Sequence, residues 1–258
     1  AAFWEARVQL KQVLVQFVRE RMAQRHARLG FPPVTWPLFD TNTLTIGFAR
    51  RFATYKRATL LFKDPERLKA ILNNPERPIQ MVFAGKAHPA DEPGKHFIQD
   101  VYRRSQEPGF AGRIVFLEEY DMCVARALVQ GVDVWLNTPR RPYEASGTSG
   151  QKASLNGIPN LSILDGWWPE AYNGSNGWAI GEERHYDNLD EQDWNDAQHL
   201  YHLLEHEVAP AYYDRDAAGV SARWVAIAKA AISSCAPQFS TRRMLKEYVN
   251  RLYLKVSK

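Results

Sequence analysis

The segment EASGTSGQK, residues 144–152, has the composition of a loop that binds an anion. Glycine and small hydroxyl residues at the start of a helix leave backbone N–H groups free to hold a phosphate. Lys152 closes the segment, and a lysine of low pKa is the residue type that captures aldehyde cofactors. We expect Lys152 in or near the first turn of that helix, where an exposed ammonium is disfavoured by the helix dipole. An ordinary surface lysine is the alternative that the spacing alone leaves open.

A second basic segment follows the apolar run LTIGF. Four cations fall within eight residues, and no Asp or Glu lies between positions 41 and 63 to pair with them; they are Arg50, Arg51, Lys56 and Arg57. Arginine binds phosphate with two parallel hydrogen bonds and lysine acts as a point charge, so a phosphate is the natural ligand. A solvated cationic loop is the other interpretation.

Aromatic residues gather in a polar stretch further along the chain. They are Trp167, Trp168, Tyr172 and Trp178. Such rings either stack on sugar rings or fix a long loop to the core, and the sequence does not choose between the two. Asp165 precedes them at the end of an apolar run, where it is either a hydrogen-bonding site residue or a turn former.

Three histidines share one face of a predicted helix: His199, His202 and His206. A metal site is conceivable, but the HExxH pattern of a zinc helix does not occur. We therefore expect a partly solvated face, and no metal ligands.

Apolar runs that alternate with helical segments predict a parallel α/β sheet covered by helices on both faces. The runs are residues 44–48, 79–85, 113–117, 132–136 and 160–164. Helices are predicted at residues 65–72, 94–104 and 122–130, shortly after position 150, and in a helical C-terminal tail at 190–207, 220–234 and 241–253. Ligands of such sheets bind beyond the carboxyl ends of the strands, which is where both basic segments lie.

The first 41 residues are predicted to form an amphipathic helix and a linker, followed by the α/β domain at 42–258. Its apolar stripe is Trp4, Val8, Leu10, Val13, Leu14, Phe17, Val18 and Met22. The formal net charge of +4 gives no warrant for nucleic-acid binding. No apolar run approaches the ~18 residues of a membrane span. Two cysteines define no disulfide framework, which favours the cytoplasm.

Several of these segments together resemble the α-glucan (glycogen, starch and maltodextrin) phosphorylases. EASGTSGQKASLNG is similar to the pyridoxal-phosphate signature of that family, and ARRFATYKR to its phosphate-binding segment. IVFLEEYDM looks like the strand that ends beside the cofactor. AGKAHP and LDGWWPEAYNGSNGWAIG also resemble family segments, and the matches run in order from about residue 42 to 182.

The resemblance implies a role for each matching residue. Lys152 would carry pyridoxal 5'-phosphate covalently. The other implied cofactor-binding residues are Arg50, Thr148, Ser149 and Tyr120. Arg51 and Lys56 would hold the substrate phosphate. The residues implied to bind the glucosyl hydroxyls are Glu144, Ala145, Ser146 and Gly147, and Glu144 joins Arg51 and Lys56 as a catalytic residue.

Two positions depart from the family pattern. Gln151 stands where the family usually has Met, which we expect to be tolerated. Asp121 stands where the longer phosphorylases have Arg, so the cofactor contact of that Arg is not carried over to this position.

The resemblance also implies the architecture and the reaction. The chain would be the second Rossmann-like domain of a GT-B glycosyltransferase fold, inactive without the first. The activity would be retaining transfer of terminal α-1,4-glucosyl units to orthophosphate, giving glucose 1-phosphate; a homo-oligomer is possible. The alternatives are a nucleotide-sugar glycosyltransferase of the same fold, which has no use for a cofactor on Lys152, and a non-catalytic module that binds glucan or cofactor.

Overall fold

The fold is built on one parallel sheet, seen in a computed structural model that describes residues 1–32, 38–184 and 186–255. Part of the predicted linker, residues 33–37, lies outside the described residues. The strands are β1 (Leu44–Ala49), β2 (Ile79–Ala84), β3 (Ile114–Leu117), β4 (Val134–Asn137), β5 (Asn160–Ile163) and β6 (Gly177–Ile180). Their order in the sheet is β3-β2-β1-β4-β5-β6, and every pairing is parallel. This is the strand order of a Rossmann-like domain, so the predicted fold class is confirmed.

The strands are apolar on both faces because helices cover both sides of the sheet. All residues of β1 and β2 are buried. Five of the strands were predicted, and β6 was not. It is only four residues long and lies within the aromatic polar stretch, where glycine and asparagine hide a strand signal.

The predicted helices are present with small changes of boundary. Before β4 they are α1 (Ala2–Leu29), α2 (Pro65–Leu72), α3 (Glu92–Ser105) and α4 (Met122–Gly131). After β4 they are α5 (Thr148–Leu155), α7 (Leu189–Leu203), α9 (Ala222–Gln238) and α10 (Thr241–Arg251); two short helices, α6 (Trp168–Ala171) and α8 (Ala209–Tyr213), were not predicted. Aspartates 64, 91 and 121 each cap a helix by accepting a hydrogen bond from the backbone three residues later.

The buried face of α1 differs from the predicted apolar stripe. Leu10 and Val13 are 37% and 66% exposed, whereas Arg7 and Lys11 are buried. Lys11 Nζ lies 2.5 Å from Asp133 Oδ2, just before β4. A buried charge is tolerated when it is paired and hydrogen-bonded. The spacing of apolar residues along a helix does not reveal a partner that lies far along the chain.

The tail is helical, as predicted, but its last helix stands apart from the core. A π-helical turn, Leu204–Val208, connects α7 to α8. Helix α10 has no buried residue and leaves Met244, Leu245 and Tyr248 about half exposed. Among the described residues, no helix is long and apolar enough to cross a membrane.

The order of the sheet reverses between β1 and β4, which are neighbours although three helices and two strands separate them in the chain. Where the connections of adjacent strands leave in opposite directions, a crevice opens at their carboxyl ends. The segment after β1 carries the four cations, and the segment after β4 leads to EASGTSGQK. The fold therefore brings the cation segment after β1 and the segment EASGTSGQK to the same crevice.

Candidate anion and cofactor site

The centre of the site is a carboxylate held by two cations. Glu144 Oε2 lies 2.5 Å from Arg50 Nη2, and Lys56 Nζ lies 2.8 and 2.7 Å from Glu144 Oε1 and Oε2. The three side chains are 8–11% exposed. We call these residues the Arg50–Lys56–Glu144 cluster. It carries one net positive charge in a largely dry crevice, where charge interactions are stronger than in water.

Arg50 has N–H donors that remain unpaired in the described part of the chain. Its Nε and Nη1 atoms are buried without a hydrogen-bond partner among the described residues. Burial is the main cause that lowers the pKa of Arg50, and the charge of Glu144 opposes it. Leaving buried donors unsatisfied costs ~1–3 kcal/mol. An oxyanion that accepted these two N–H groups would recover that free energy.

The expectation that all four cations lack partners is wrong. Arg57 is buried and donates to the carbonyl oxygens of Thr138 and Pro139, both after β4. Its guanidinium also lies 2.9 Å from Asp193 and 2.7 Å from Asp196, on α7. Arg57 therefore joins three elements and is not free for a ligand. The acids that pair with it lie more than 130 residues away in the chain.

Arg51 behaves differently from its neighbours. Its side chain is exposed, and it makes no hydrogen bond or ion pair with the part of the chain that the structure describes. A charge in this state is free to move toward a ligand in the crevice. The cation segment thus divides into two cluster members, one structural arginine and one unengaged arginine.

The loop that carries Glu144 is fixed by its backbone. Glu144 N donates to Asp165 Oδ2 at 2.9 Å, and Trp167 N donates to Ser146 O at 3.0 Å. Gly166, with φ +63°, passes so close that a Cβ there would lie 2.3 Å from Ser146 O. Asp165 is therefore a hydrogen-bonding residue of the site, and not only a turn former.

Helix α5 begins within the sequence signature, at Thr148. Its N-cap, Gly147, has φ +106° and supplies no side-chain cap. The first backbone N–H groups of such a helix have no acceptor within the helix and suit an anion. Lys152 is the fifth of the eight residues of this helix: it lies near the first turn, as predicted, but it also belongs to the last turn, where the dipole favours a cation. Its side chain is exposed.

Ala145, Ser146 and Thr148 are exposed along the same loop, and Ser149 is half-buried. Gly150 is buried, and a Cβ there would lie 2.6 Å from Asn160 Oδ1. The loop is therefore pressed against β5 at one end and open to the crevice along the rest of its length.

Tyr120 follows β3 and is half-buried; burial raises the pKa of its hydroxyl. Within the described part of the chain, no hydrogen bond or ion pair joins Tyr120 or Lys152 to the Arg50–Lys56–Glu144 cluster. The neighbouring Asp121 caps α4, with its carboxylate 2.9 Å from Val124 N. A helix cap is thus the structural role of the residue that departs from the family pattern.

A cleft of about 480 Å³ is lined by the chain neighbours Tyr55, Arg57 and Tyr143 of the cluster residues, but by none of the three cluster residues themselves. Tyr55, Tyr143 and Phe97 contribute aromatic surface to its wall, and Arg140 and Asp193 contribute charge. Such a mixture of rings and polar groups suits a sugar.

The rings of the aromatic stretch are buried, with Trp167 packed against the signature loop at Gly147 and Gly150, and the histidines contact other parts of the chain. Trp167, Trp168 and Trp178 are at most 4% exposed, so these rings pack in the core. His199 Nδ1 accepts the N–H of Gly181. The rings of His202 and His206 are exposed and stacked on each other. Within the described ranges, no group of three or more His, Cys, Asp or Glu side chains is arranged to hold a metal ion.

The family model described as Phosphorylase, carbohydrate phosphorylase, matches residues 6–173. The chain belongs to the carbohydrate phosphorylase family. The match includes the cation segment after β1 and the signature with Lys152. The family assignment made from the sequence is therefore confirmed.

Individual phosphorylases match nearly the whole chain. It is 54% identical to the maltodextrin phosphorylase of Thermococcus litoralis, over 98% of this chain and 30% of that protein. It is 49% identical to the glycogen phosphorylase of Aquifex aeolicus, over 99% of this chain and 37% of that protein. The chain thus spans about a third of the length of these curated relatives.

Solved structures support the fold alone. The crystal structure of Anabaena Alr3699/HepE in complex with UDP and glucose superposes with a TM-score of 0.58 at 15% identity. The superposition covers 91% of this chain and 52% of the other. This agrees with the predicted GT-B type of architecture, in which a Rossmann-like domain is one of two.

Proposed function

We propose that this chain is the cofactor- and phosphate-binding half of an α-glucan phosphorylase. The whole enzyme would transfer a terminal α-1,4-glucosyl unit to orthophosphate, with retention, and release glucose 1-phosphate. The observation that carries the proposal is the Arg50–Lys56–Glu144 cluster, which places two buried cations and a carboxylate in the crevice between β1 and β4. A phosphorolytic enzyme needs anion-binding groups and a sugar-binding acid together.

The residues present fit pyridoxal phosphate. Arg50 has two buried donors without a partner, and the first turn of α5, at Thr148 and Ser149, has backbone donors without a side-chain cap. These groups would hold the cofactor phosphate. Lys152 would carry the cofactor, and Tyr120 would lie near its ring. When bound, the cofactor supplies a phosphate that exchanges a proton with orthophosphate.

The protein's own residues would position the reactants and stabilise charge. Lys56 and the exposed Arg51 would hold the substrate phosphate, and their charges would lower its repulsion with the cofactor phosphate. Glu144, with the backbone of Ala145, Ser146 and Gly147, would bind the glucosyl hydroxyls. As the glycosidic bond breaks, positive charge develops on the sugar ring, and the adjacent carboxylate and phosphate stabilise it.

We further propose that the rest of the enzyme closes the crevice. The curated relatives are about three times as long as this chain, which leaves room for a further domain over the crevice. Positioning of reactants accounts for ~7–11 kcal/mol of a barrier. Residues 1–258 alone should therefore unfold cooperatively in a thermal melt, yet form no glucose 1-phosphate from maltodextrin and phosphate. Robust turnover by this chain alone would contradict the two-domain mechanism.

The cofactor assignment is tested by chemical trapping. Borohydride reduction of the intact, cofactor-loaded enzyme, followed by peptide mapping, should locate the label on Lys152. Lys152→Ala should abolish labelling, whereas Lys86→Ala, a matched change at another exposed lysine, should leave it intact. A label on a different lysine, or no label, would refute the assignment. Tight binding of a nucleotide sugar by an unlabelled protein would favour the glycosyltransferase alternative.

A further inference from the structure

Glu144 occupies a place that its proposed role does not explain. A residue that binds sugar hydroxyls should present its carboxylate to the crevice. Here both carboxylate oxygens accept hydrogen bonds from Lys56, and one also accepts from Arg50. The two cations proposed to serve phosphate groups therefore already have an anionic ligand, supplied by the chain itself.

The contacts of Glu144 allow its side chain to leave without unfolding the loop. The backbone N–H of Glu144 is fixed by Asp165, and the next turn by the bond from Trp167 to Ser146. These bonds hold the main chain, whereas within the described ranges the carboxylate has hydrogen bonds only to the two cations. Rotation about the side-chain torsions is the smallest movement that exposes Arg50 and Lys56 to a ligand.

We propose that Glu144 is an exchangeable internal ligand of the Arg50–Lys56 pair, and that a tetrahedral dianionic oxyanion displaces it. This inference rests on the proposed function, in which Glu144 binds the glucosyl unit. Displacement couples anion binding to sugar binding, because an anion that binds Arg50 and Lys56 releases the carboxylate of Glu144 to bind the sugar. The site then binds anion and sugar more tightly together than separately.

The class of anion follows from the donors. Arg50 offers Nε and Nη1, both buried and unsatisfied, in addition to the Nη2 group that contacts Glu144. Lys56 adds a second charge. A carboxylate has two oxygens and one charge, so it satisfies only part of this set. Phosphate has four oxygens and about two charges, and it gains enough contacts to compete with an acid tethered beside the cations.

The first test measures orthophosphate binding by calorimetry at fixed ionic strength. We expect Glu144→Gln to bind phosphate at least fivefold more tightly than the wild-type protein, because the competing charge is gone. Glu170→Gln is the matched control: it removes the same charge from an exposed side chain, for which no ion pair is found among the described residues. Phosphate affinity that is unchanged or weaker in Glu144→Gln would overturn the proposal.

The second test needs no variant that weakens folding. In the wild-type protein, saturating phosphate should tighten glucose binding at least threefold, and saturating glucose should tighten phosphate binding by the same factor. Chloride at equal ionic strength should have no such effect. Independent or antagonistic binding of glucose and phosphate would refute the exchange.

A folding defect in Glu144→Gln would be visible in a thermal melt. Glu144→Asp then replaces it, since the shorter side chain keeps its charge but loses reach to the cations; tighter phosphate binding is again expected, and unchanged affinity refutes the proposal. Neither test involves Lys152. A failed cofactor assignment and a failed exchange are therefore separate results.

Discussion

Arg57 and Arg51 offer a direct test of how burial gives two arginines of one segment different effects on stability. Both follow β1, and both looked like members of one anion-binding loop. Arg57 is 4% exposed, whereas Arg51 is exposed and unengaged within the described residues. The same substitution, Arg→Met, removes the charge at either position and keeps most of the aliphatic volume. The two variants should therefore differ sharply in stability.

The magnitude follows from the groups that Arg57→Met would leave behind. The Thr138 and Pro139 carbonyl groups would each lose a donor, and Asp193 would lose one of its cations. Asp196, 3% exposed, would lose its ion pair. Removing one partner of a buried ion pair costs ~3–5 kcal/mol. We expect a loss in this range for Arg57→Met and less than ~0.5 kcal/mol for Arg51→Met.

The assay is urea unfolding followed by tryptophan fluorescence, with a thermal melt beside it. For a chain of this size, the expected loss lowers Tm by ~6–20 °C. Adding Asp196→Asn to Arg57→Met should recover part of the loss, because the second change removes the unpaired buried acid. Equal stability of Arg57→Met and Arg51→Met would refute the argument from burial.

The loss caused by Arg57→Met should also depend on pH. Burial raises the pKa of Asp196, and the charge of Arg57 opposes this rise. Without Arg57 the carboxyl group takes up a proton more readily, and the protonated acid needs no counter-ion. The destabilisation should therefore be smaller at pH 5 than at pH 8. A cost that grows as the pH falls would contradict this reasoning.

Three further predictions concern the scaffold. Burial raises the pKa of Tyr201 to about 12, so the contribution of its hydroxyl to stability is present below pH 10 and is lost as the pH rises toward 12. Tyr201→Phe should therefore flatten the decline of stability at alkaline pH. Because the Tyr201 hydroxyl donates to Leu61 O, the same variant should be less stable at pH 7 by ~1–3 kcal/mol in urea unfolding. Lys11→Met should cost ~3–5 kcal/mol, and a second change, Asp133→Asn, should restore part of it; an additive loss in the double variant would argue against a coupled pair. Gly150→Ala should lower Tm and weaken orthophosphate binding, because its Cβ would displace the loop; unchanged phosphate binding would separate loop position from anion affinity.

The sequence by itself determined the class of fold and the family. Apolar runs of five to seven residues, separated by helical segments, are enough to predict a parallel sheet, because strands buried on both faces are apolar throughout and do not alternate with polar residues. The family signature around Lys152 is local in the sequence, so it is recognisable without coordinates. Strand β6 was not predicted because Gly177 and the polar residues beside it weaken the local pattern of a strand.

The roles of the charged residues could not be predicted from the sequence in the same way. Arg50, Lys56 and Arg57 lie within one short segment, and their partners lie 81–139 residues further on. Local spacing indicates only that cations are concentrated there. Burial, which decides whether a cation is a ligand for an anion or a structural pair, is a property of the packed sheet.

The position of Lys152 shows the same limit at short range. The signature places it correctly in the chain, but it does not show that α5 begins after Gly147, with φ +106°, and ends at Leu155. The length of this short helix decides which end of its dipole lies nearer to the lysine. Residue types and order fixed which groups are available for chemistry. Only the tertiary structure decided which of them meet, because the crevice exists where β1 and β4, distant in the chain, become neighbours in the sheet.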